Sequence, residues 1–206
     1  MNGLVPLLLI GVLALLLLAL GSWVVLVWNK LVRQRNQVRA SWAQVEVQLQ
    51  RRHDLVPKLV GVVQGYAAHE RAALAEVAQA RAGALGVTRV GQRATAEHQL
   101  TAALDRLLAV AEAYPNLKAD QHFAATHAEL TATENQLSYA RQFYNLAVRA
   151  LTNTIESVPT NLVAALFRFR APEYFQAAEH ARGPIQARPA PGGAGPGQRV
   201  GYADGS

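Results

Sequence analysis

One uncharged apolar segment limits what this chain can fold into. Residues 4–28 contain no charged side chain, and as a helix they span roughly 37 Å, more than the ~30 Å hydrocarbon core of a bilayer. Trp23 and Trp28 lie near its C-terminal end, where indole rings favour the membrane interface. The rival interpretation is a cleaved signal peptide, but residues 1–3 carry no basic side chain and no clear small-residue cleavage site precedes Trp23. The segment therefore predicts one uncleaved transmembrane helix.

The two flanks of this segment differ in charge, which bears on orientation. Residues 29–58 hold seven Lys and Arg residues against two acids, and so carry +5 of the net charge of +6. By the positive-inside rule, we expect residues 1–3 to be a short exposed N-terminus outside the cell and the rest of the chain to lie in the cytoplasm. The basic side chains nearest the segment are also candidate contacts for anionic lipid headgroups, with an ordinary stop-transfer flank as the alternative: Lys30, Arg33, Arg35 and Arg39.

The rest of the chain is predicted to be helical. After the membrane segment, apolar residues recur with a period near 3.5, a coiled-coil-like stripe, and no strand-like alternation appears. The pattern predicts a long first helix reaching about residue 82, with a kink at Pro57. Further helices are predicted at about 92–113, 119–157 and 161–167.

These predicted helices differ in length, so they cannot form a bundle of equal rods. Either the first helix breaks between Pro57 and His69, or part of it stands alone as a stalk. The predicted fold is all-α: an N-terminal transmembrane helix, then an elongated antiparallel bundle of three long helices plus one short helix. We assign the helical domain to residues 29–182 and a disordered tail rich in Pro and Gly to residues 183–206.

The residue types needed for common chemistries are missing or wrongly spaced. Without cysteine there is no disulfide, thiolate metal site or lipidated cysteine. His69-Glu70 is followed by Ala73, where a zinc-protease helix needs its second histidine, and neither a nucleophile elbow nor a phosphate loop occurs. We therefore predict no enzyme activity, no metal and no cofactor. Because no base-stacking aromatics interleave with the basic residues, we predict no nucleic-acid partner.

Several polar residues fall on or near the predicted helix seams. Arg52 occupies a position of the apolar stripe, and Glu134 on the third long helix is the expected partner. One interpretation is an interhelical polar network that fixes register, and the other is a polar site for a peptide or ligand between helices. The candidate residues are Arg52, Asp54, Glu134, Asn135, Arg141 and Asn145.

Ordered motifs in this sequence resemble those of the LemA family of bacterial membrane proteins. The resemblance covers residues 28–175, and its motifs are RNQV at 35–38, WAQVEVQLQRRHDLVPKLV at 42–60, GYAAHE at 65–70, YPNLKA at 114–119 and TEN at 133–135, followed by Arg141 and Tyr144-Asn145. The sequence departs from the usual family pattern at Lys58, Leu151-Thr152 and Val158. The resemblance implies an N-terminal anchor and long antiparallel helices, but no established reaction and no agreed ligand.

Two functions are compatible with these observations. The first is a membrane-anchored helical scaffold or interaction module whose faces bind a partner protein or a second copy. The alternative is a ligand- or peptide-sensing helical module at the membrane. A cavity above roughly 300 Å³ lined by Arg52, Glu134 and Arg141 would favour the ligand-binding alternative, and a fully paired, dry seam would favour the scaffold.

Overall fold

The computed structural model describes residues 4–176, and these residues form an all-α fold without strands. Residues 1–3 and the tail predicted at 183–206 lie outside the described residues. The helices are α1 (Leu4–Tyr66), α2 (Arg71–Leu85), α3 (Val90–Ala111), α4 (Pro115–Lys118), α5 (Gln121–Glu156) and α6 (Thr160–Leu166). The predicted fold class is confirmed.

Helix α1 runs without interruption from the apolar segment into the helical domain. Its N-terminal part is the one described stretch that is long and apolar enough to cross a membrane, and other parts of the protein cover almost none of it. Pro57 lies inside α1 and does not end it. The helix ends at Tyr66, within the interval in which the sequence allowed a break, and α2 starts as a separate helix at Arg71.

Helices α1 and α5 form the long axis of the domain and run antiparallel. The Gln34 amide donates to the carbonyl of Ala150 at 3.3 Å, and Arg51 pairs with Glu129 at 3.1 Å, so increasing residue numbers on α1 meet decreasing numbers on α5. The C-terminal end of α5 therefore lies near the point on α1 where the apolar segment ends. The start of α5 is fixed by Asp120, whose carboxylate accepts the Phe123 N–H at 2.8 Å as an N-cap.

The buried apolar residues form two clusters along this axis. The membrane-proximal cluster combines α1, α5, α6 and the C-terminal strap, which we define as residues 169–176; its members include Leu31, Val45, Leu49, Leu137, Val148, Leu151, Val163 and Phe175. The distal cluster combines the far half of α1 with the α2–α3 hairpin, α4 and the start of α5; its members include Leu55, Leu59, Val63, Val77, Leu100, Leu107, Leu117 and Phe123. Both clusters use the heptad rows of α1, because every third or fourth residue of a helix faces the same side.

One residue on the apolar stripe of α1, where the heptad spacing predicts burial, is exposed. Tyr66 falls on the apolar row of α1, but its side chain is exposed and its hydroxyl donates to Asp120 at 2.9 Å. The physical reason is that α1 ends at this residue, so no further turn of α1 covers the ring.

Candidate functional site

A buried group of charged and polar side chains lies between the two apolar clusters. Arg52 of α1 is 1% exposed, and its guanidinium reaches Glu134 of α5 at 2.8 Å and Glu97 of α3 at 3.6 Å. It also donates to the Thr101 hydroxyl at 2.8 Å. The Arg52–Glu134 contact is close but poorly aligned for a hydrogen bond, so its attraction is mainly electrostatic. A buried guanidinium needs such partners because its desolvation is costly.

His53 extends this group to a fourth helix. Its Nε2 lies 2.9 Å from the second carboxylate oxygen of Glu97, and both side chains are buried. The backbone carbonyl of His53 accepts a hydrogen bond from Arg81 of α2 at 2.9 Å. We call this set the ionic cluster: Arg52, His53, Arg81, Glu97, Thr101 and Glu134.

Burial shifts the pKa values of two α5 side chains, Glu134 of the cluster and nearby Arg141. Burial raises the pKa of Glu134, and the positive charge of Arg52 only partly opposes that rise. Burial also lowers the pKa of Arg141, which lies on the same side of α5, while Glu134 opposes that shift. The charges of the cluster are directed at one another, so the arrangement can hold helices in register, and it presents no evident nucleophile with an adjacent base.

The six residues predicted from the sequence do not all meet. Arg52 and Glu134 are in contact, whereas Asp54 is exposed and accepts a hydrogen bond from Gln50 at 2.9 Å. Asn135 is exposed on α5. Arg141 and Asn145 instead hold the strap, as described next.

The strap is fastened to α5 through its backbone. The Asn145 side chain donates to the Phe175 carbonyl at 3.2 Å and accepts the Phe175 N–H at 2.9 Å. The Arg141 guanidinium lies 5.1 Å from the centre of the Phe175 ring, within cation–π range. The Tyr144 hydroxyl donates to the Glu173 carbonyl at 2.7 Å, and burial together with nearby Glu173 raises the pKa of Tyr144 to about 12.

The sequence pattern missed Glu97 and His53. Glu97 lies on the inward row of α3 between Ala94 and Leu100, and all three are buried. An acidic residue on an otherwise apolar row indicates a buried cation on another helix. Arg52 is such a cation, because it also occupies an apolar row, on α1. His53 gave no such signal, because it is adjacent to Arg52 and off the heptad rows.

A groove opens beside the ionic cluster between α3 and α5. Its volume is about 360 Å³, and it is lined by Thr101, Leu104, Asp105, Leu108, His127, Leu130, Thr131, Glu134 and Asn135. A second groove of about 290 Å³ adjoins it and shares Leu108 and His127. The groove exceeds the ~300 Å³ threshold and includes Glu134, but neither Arg52 nor Arg141 lines it. The cavity criterion for ligand binding is therefore met in volume and only partly in lining residues.

A different surface lies between α1 and α5 and carries no charge. A groove of about 400 Å³ is lined by Gln37, Ala40, Ser41, Gln44, Gln48, Gln136, Ala140 and Phe143. On α5 the large side chains Tyr139, Phe143 and Leu146 follow one another at helical spacing, and each is more than half exposed. We call this groove and these three side chains the docking face.

The basic flank lies on the part of α1 that directly follows the apolar segment. All four predicted side chains, Lys30, Arg33, Arg35 and Arg39, are exposed. The Arg35 guanidinium lies 5.3 Å from the centre of the Phe169 ring, so this cation also contacts the strap. Within residues 4–176, no group of three or more His, Asp or Glu side chains is placed to hold a metal ion.

Comparison with known proteins identifies the family of the chain. The model of the LemA family matches residues 41–188. Two relatives from Paramagnetospirillum magneticum (strain ATCC 700264 / AMB-1), magnetosome proteins MamQ 1 and MamQ 2, are each 25% identical over 175 residues, covering 72% of this chain. The alignment spans 64% of the length of these relatives. Because the family model covers well over half of the sequence, including both the ionic cluster and the strap, the chain belongs to the LemA family.

Proposed function

We propose that the protein is a membrane-anchored scaffold and that the docking face binds a helix of a partner protein or of a second copy. The observation that carries this proposal is a contiguous uncharged surface with three exposed large side chains on a rigid helix pair. Large apolar and aromatic side chains exposed together mark interaction surfaces more often than chance, because leaving them in water is unfavourable.

The docking face has the geometry that helix recognition requires. Tyr139, Phe143 and Leu146 are spaced by four and three residues, so they form one row along α5. The adjoining groove is lined mostly by amide, hydroxyl and methyl groups, against which a second helix can approach without burying an unpaired charge.

The membrane places this face at a defined height. Counting along both helices from the Gln34–Ala150 hydrogen bond puts Phe143 level with Ser41, about 20 Å along α1 from Trp28. Two copies anchored in one bilayer present the face at the same height, which raises their effective concentration towards each other. Confinement to the membrane therefore favours contacts too weak to form in dilute solution.

The proposal also covers the side of the membrane on which the domain lies and the lipids that its basic flank contacts. We place the domain in the cytoplasm, because a cluster of basic residues directly follows the membrane segment. The exposed flank of Lys30, Arg33, Arg35 and Arg39 then faces anionic headgroups of the inner leaflet. Exchanging all four for Gln should reduce the anionic lipid that copurifies with the protein.

We assign no catalytic role to the domain, and the ionic cluster supports this assignment. Arg52, His53 and Glu97 are buried, and the Glu97 carboxylate lies between the other two side chains, so their charges are directed at one another. A cluster of this kind stabilises one alignment of helices against others.

Crosslinking in intact cells tests the scaffold proposal. A photoreactive phenylalanine at Phe143 should give a discrete adduct, whose mass identifies either a dimer or a partner. The same probe at Tyr66, an exposed tyrosine at the far end of α1, is the matched control. Phe143→Asp combined with a probe at Tyr139 should abolish the adduct. Equal adduct yields at Phe143 and Tyr66, or none at either, would contradict the assignment of this face.

The groove between α3 and α5 supports ligand or peptide sensing as a second candidate. Its volume suits a small molecule or a few side chains of a peptide, and the acidic groups of Asp105 and Glu134 would favour a cationic group. A thermal-shift screen of cationic ligands tests this candidate. A hit that survives Glu134→Gln and Asp105→Asn would not be bound in this groove.

A further inference from the structure

Helix α6 is apolar on the side that faces the protein and on the side that faces away from it. Val163 and Ala164 are buried in the membrane-proximal cluster. On the opposite side, Leu162 is 69% and Leu166 is 72% exposed, and Val158, in the turn that precedes the helix, is 80% exposed. The four-residue spacing places Leu162 and Leu166 on one row of the helix. Helices that are apolar all round are normally buried or in contact with lipid.

The position of α6 indicates what covers its outer side. The Phe167 ring, directly after the helix, lies 4.3 Å from the Trp28 ring at the C-terminal end of the apolar segment. Val163 and Ala164 share their cluster with Val27 of that segment. Counting from the Gln34–Ala150 hydrogen bond puts Glu156, the last residue of α5, level with Trp28. Helix α6 therefore lies beside the end of the membrane segment.

We propose that α6 is a second, interfacial membrane contact, in which Val158, Leu162, Leu166 and Phe167 enter the leaflet that the N-terminal helix leaves. The occupant is lipid because α6 packs beside Val27 and Trp28, at the end of the apolar segment, where Val25 and Leu26 are also exposed. Apolar helix faces at this level lie about 5–10 Å deep at the boundary between headgroups and acyl chains.

Charged residues around α6 fit the same placement. Arg168 and Arg170 follow the helix and are exposed, as is Lys30 on α1. Long basic side chains beside an inserted apolar face extend their charges to the headgroups while their methylene groups remain in the apolar layer. The exposed face of α6 itself carries no charge.

A second membrane contact restricts rotation of the domain about the axis of α1. A single transmembrane helix leaves the attached domain free to rotate about the helix axis, whereas α6 fixes one side of α1 against the bilayer. The docking face would then point in one direction relative to the membrane plane. This inference rests on insertion of the N-terminal segment, and it does not require that a docking partner exists.

Fluorescence quenching in the full-length chain tests the proposal. Because the chain has no cysteine, single substitutions Leu162→Cys and Leu166→Cys carry a polarity-sensitive fluorophore at unique positions. The protein is reconstituted in vesicles that contain lipids with a nitroxide near the headgroup. Phe143→Cys is the matched control, since Phe143 is 65% exposed and apolar but lies about 20 Å from Trp28 along the helix axis. Leu13→Cys reports insertion of the N-terminal segment, with the nitroxide deeper in the acyl chains.

The expected result is several-fold stronger quenching at positions 162 and 166 than at 143, unchanged in neutral vesicles and at about 0.5 M salt, where charge attraction is screened. Adding Leu162→Asp should reduce the quenching at position 166 several-fold, whereas adding Phe143→Asp should not. Since Leu162 is exposed, the variant should keep its melting temperature.

Other results would overturn the proposal. Quenching at position 13 without quenching at 162 and 166 leaves the anchor intact and removes α6 from the membrane. Equal quenching at 143 and 162 indicates adsorption of the whole domain. Protection of position 162 that grows with protein density and not with lipid contact indicates a second copy as the occupant. Absence of quenching at every position, including 13, refutes both the anchor and the α6 contact.

Discussion

Replacing Arg52 with Met tests whether the ionic cluster contributes to stability. Methionine keeps most of the side-chain volume, so the main effect is loss of the cation that faces Glu97 and Glu134. The Glu97 carboxylate, buried to within a few per cent, would then lose its guanidinium partner. Removing one member of a buried ion pair typically costs about 3–5 kcal/mol, because the remaining charge is desolvated without compensation. For a domain of this size the midpoint of thermal unfolding should fall by about 6–20 °C.

The neighbouring residue provides a matched control. Arg51 is also on α1 and also pairs with a glutamate of α5, Glu129, at 3.1 Å. In this pair, however, both side chains are about half exposed. Arg51→Met should therefore change stability by less than about 1 kcal/mol. Both variants are measured in the full-length chain in non-ionic detergent, by circular dichroism during heating.

Two results from this pair of variants would refute the reasoning. If the free energies of unfolding of Arg52→Met and Arg51→Met differ by less than about 0.5 kcal/mol, burial of the Arg52 ion pair does not contribute to stability. The double variant Arg52→Met with Glu97→Gln is the second check. It keeps an oxygen for His53 and removes the unpaired charge, so it should recover much of the lost stability. No recovery would mean that packing, and not charge, causes the loss.

Further predictions concern pH, the strap and orientation. Burial raises the pKa of Glu134 above 4.5, so the folded state binds a proton at a higher pH than the unfolded state does. The free energy of unfolding should therefore rise as the pH falls from neutral towards 4.5. Glu134→Gln should remove this pH dependence from the melting curves. Asn145→Ala removes two hydrogen bonds to the Phe175 backbone and should speed amide exchange of the strap, whereas Asn153→Ala, at an exposed position of α5, should not. A reporter fused after Asp204 should be active only if it works in the cytoplasm, and activity of a reporter that requires export would reverse the orientation.

The course of α1 and its buried rows could be predicted because they depend on local repetition. Leu31, Val45, Leu49 and Leu59 recur at heptad spacing, and each is fully buried. Such a pattern is visible in the sequence because one helix face must be apolar to pack against another. The row stopped predicting burial at Tyr66, where the helix itself ends.

The ionic cluster could be predicted only in part, because its contacts join residues distant in sequence. Arg52 was recognisable as a charge on an apolar row, and Glu134 as a possible partner. Glu97, which meets both Arg52 and His53, lies 44 residues from His53 and on a different helix. Periodicity shows which face of a helix points inward, but it does not show which residues of two helices meet. That choice depends on the position of the α2–α3 hairpin along α1, which the helix lengths left open.

The ionic cluster lies along α1 between the two apolar clusters that this helix shares with other helices. On α1, the membrane-proximal apolar cluster ends at Leu49 and the distal cluster begins at Leu55, with Arg52 and His53 between them. A buried ion pair is satisfied in one alignment of two helices only, because a shift along either helix separates the charges. The cluster therefore fixes where the α2–α3 hairpin sits along α1. Since α1 is continuous from the apolar segment through this point, the proposed lipid contact at α6 and the proposed partner at the docking face would both act on one helix, which the Arg52–Glu97 pair joins to α3.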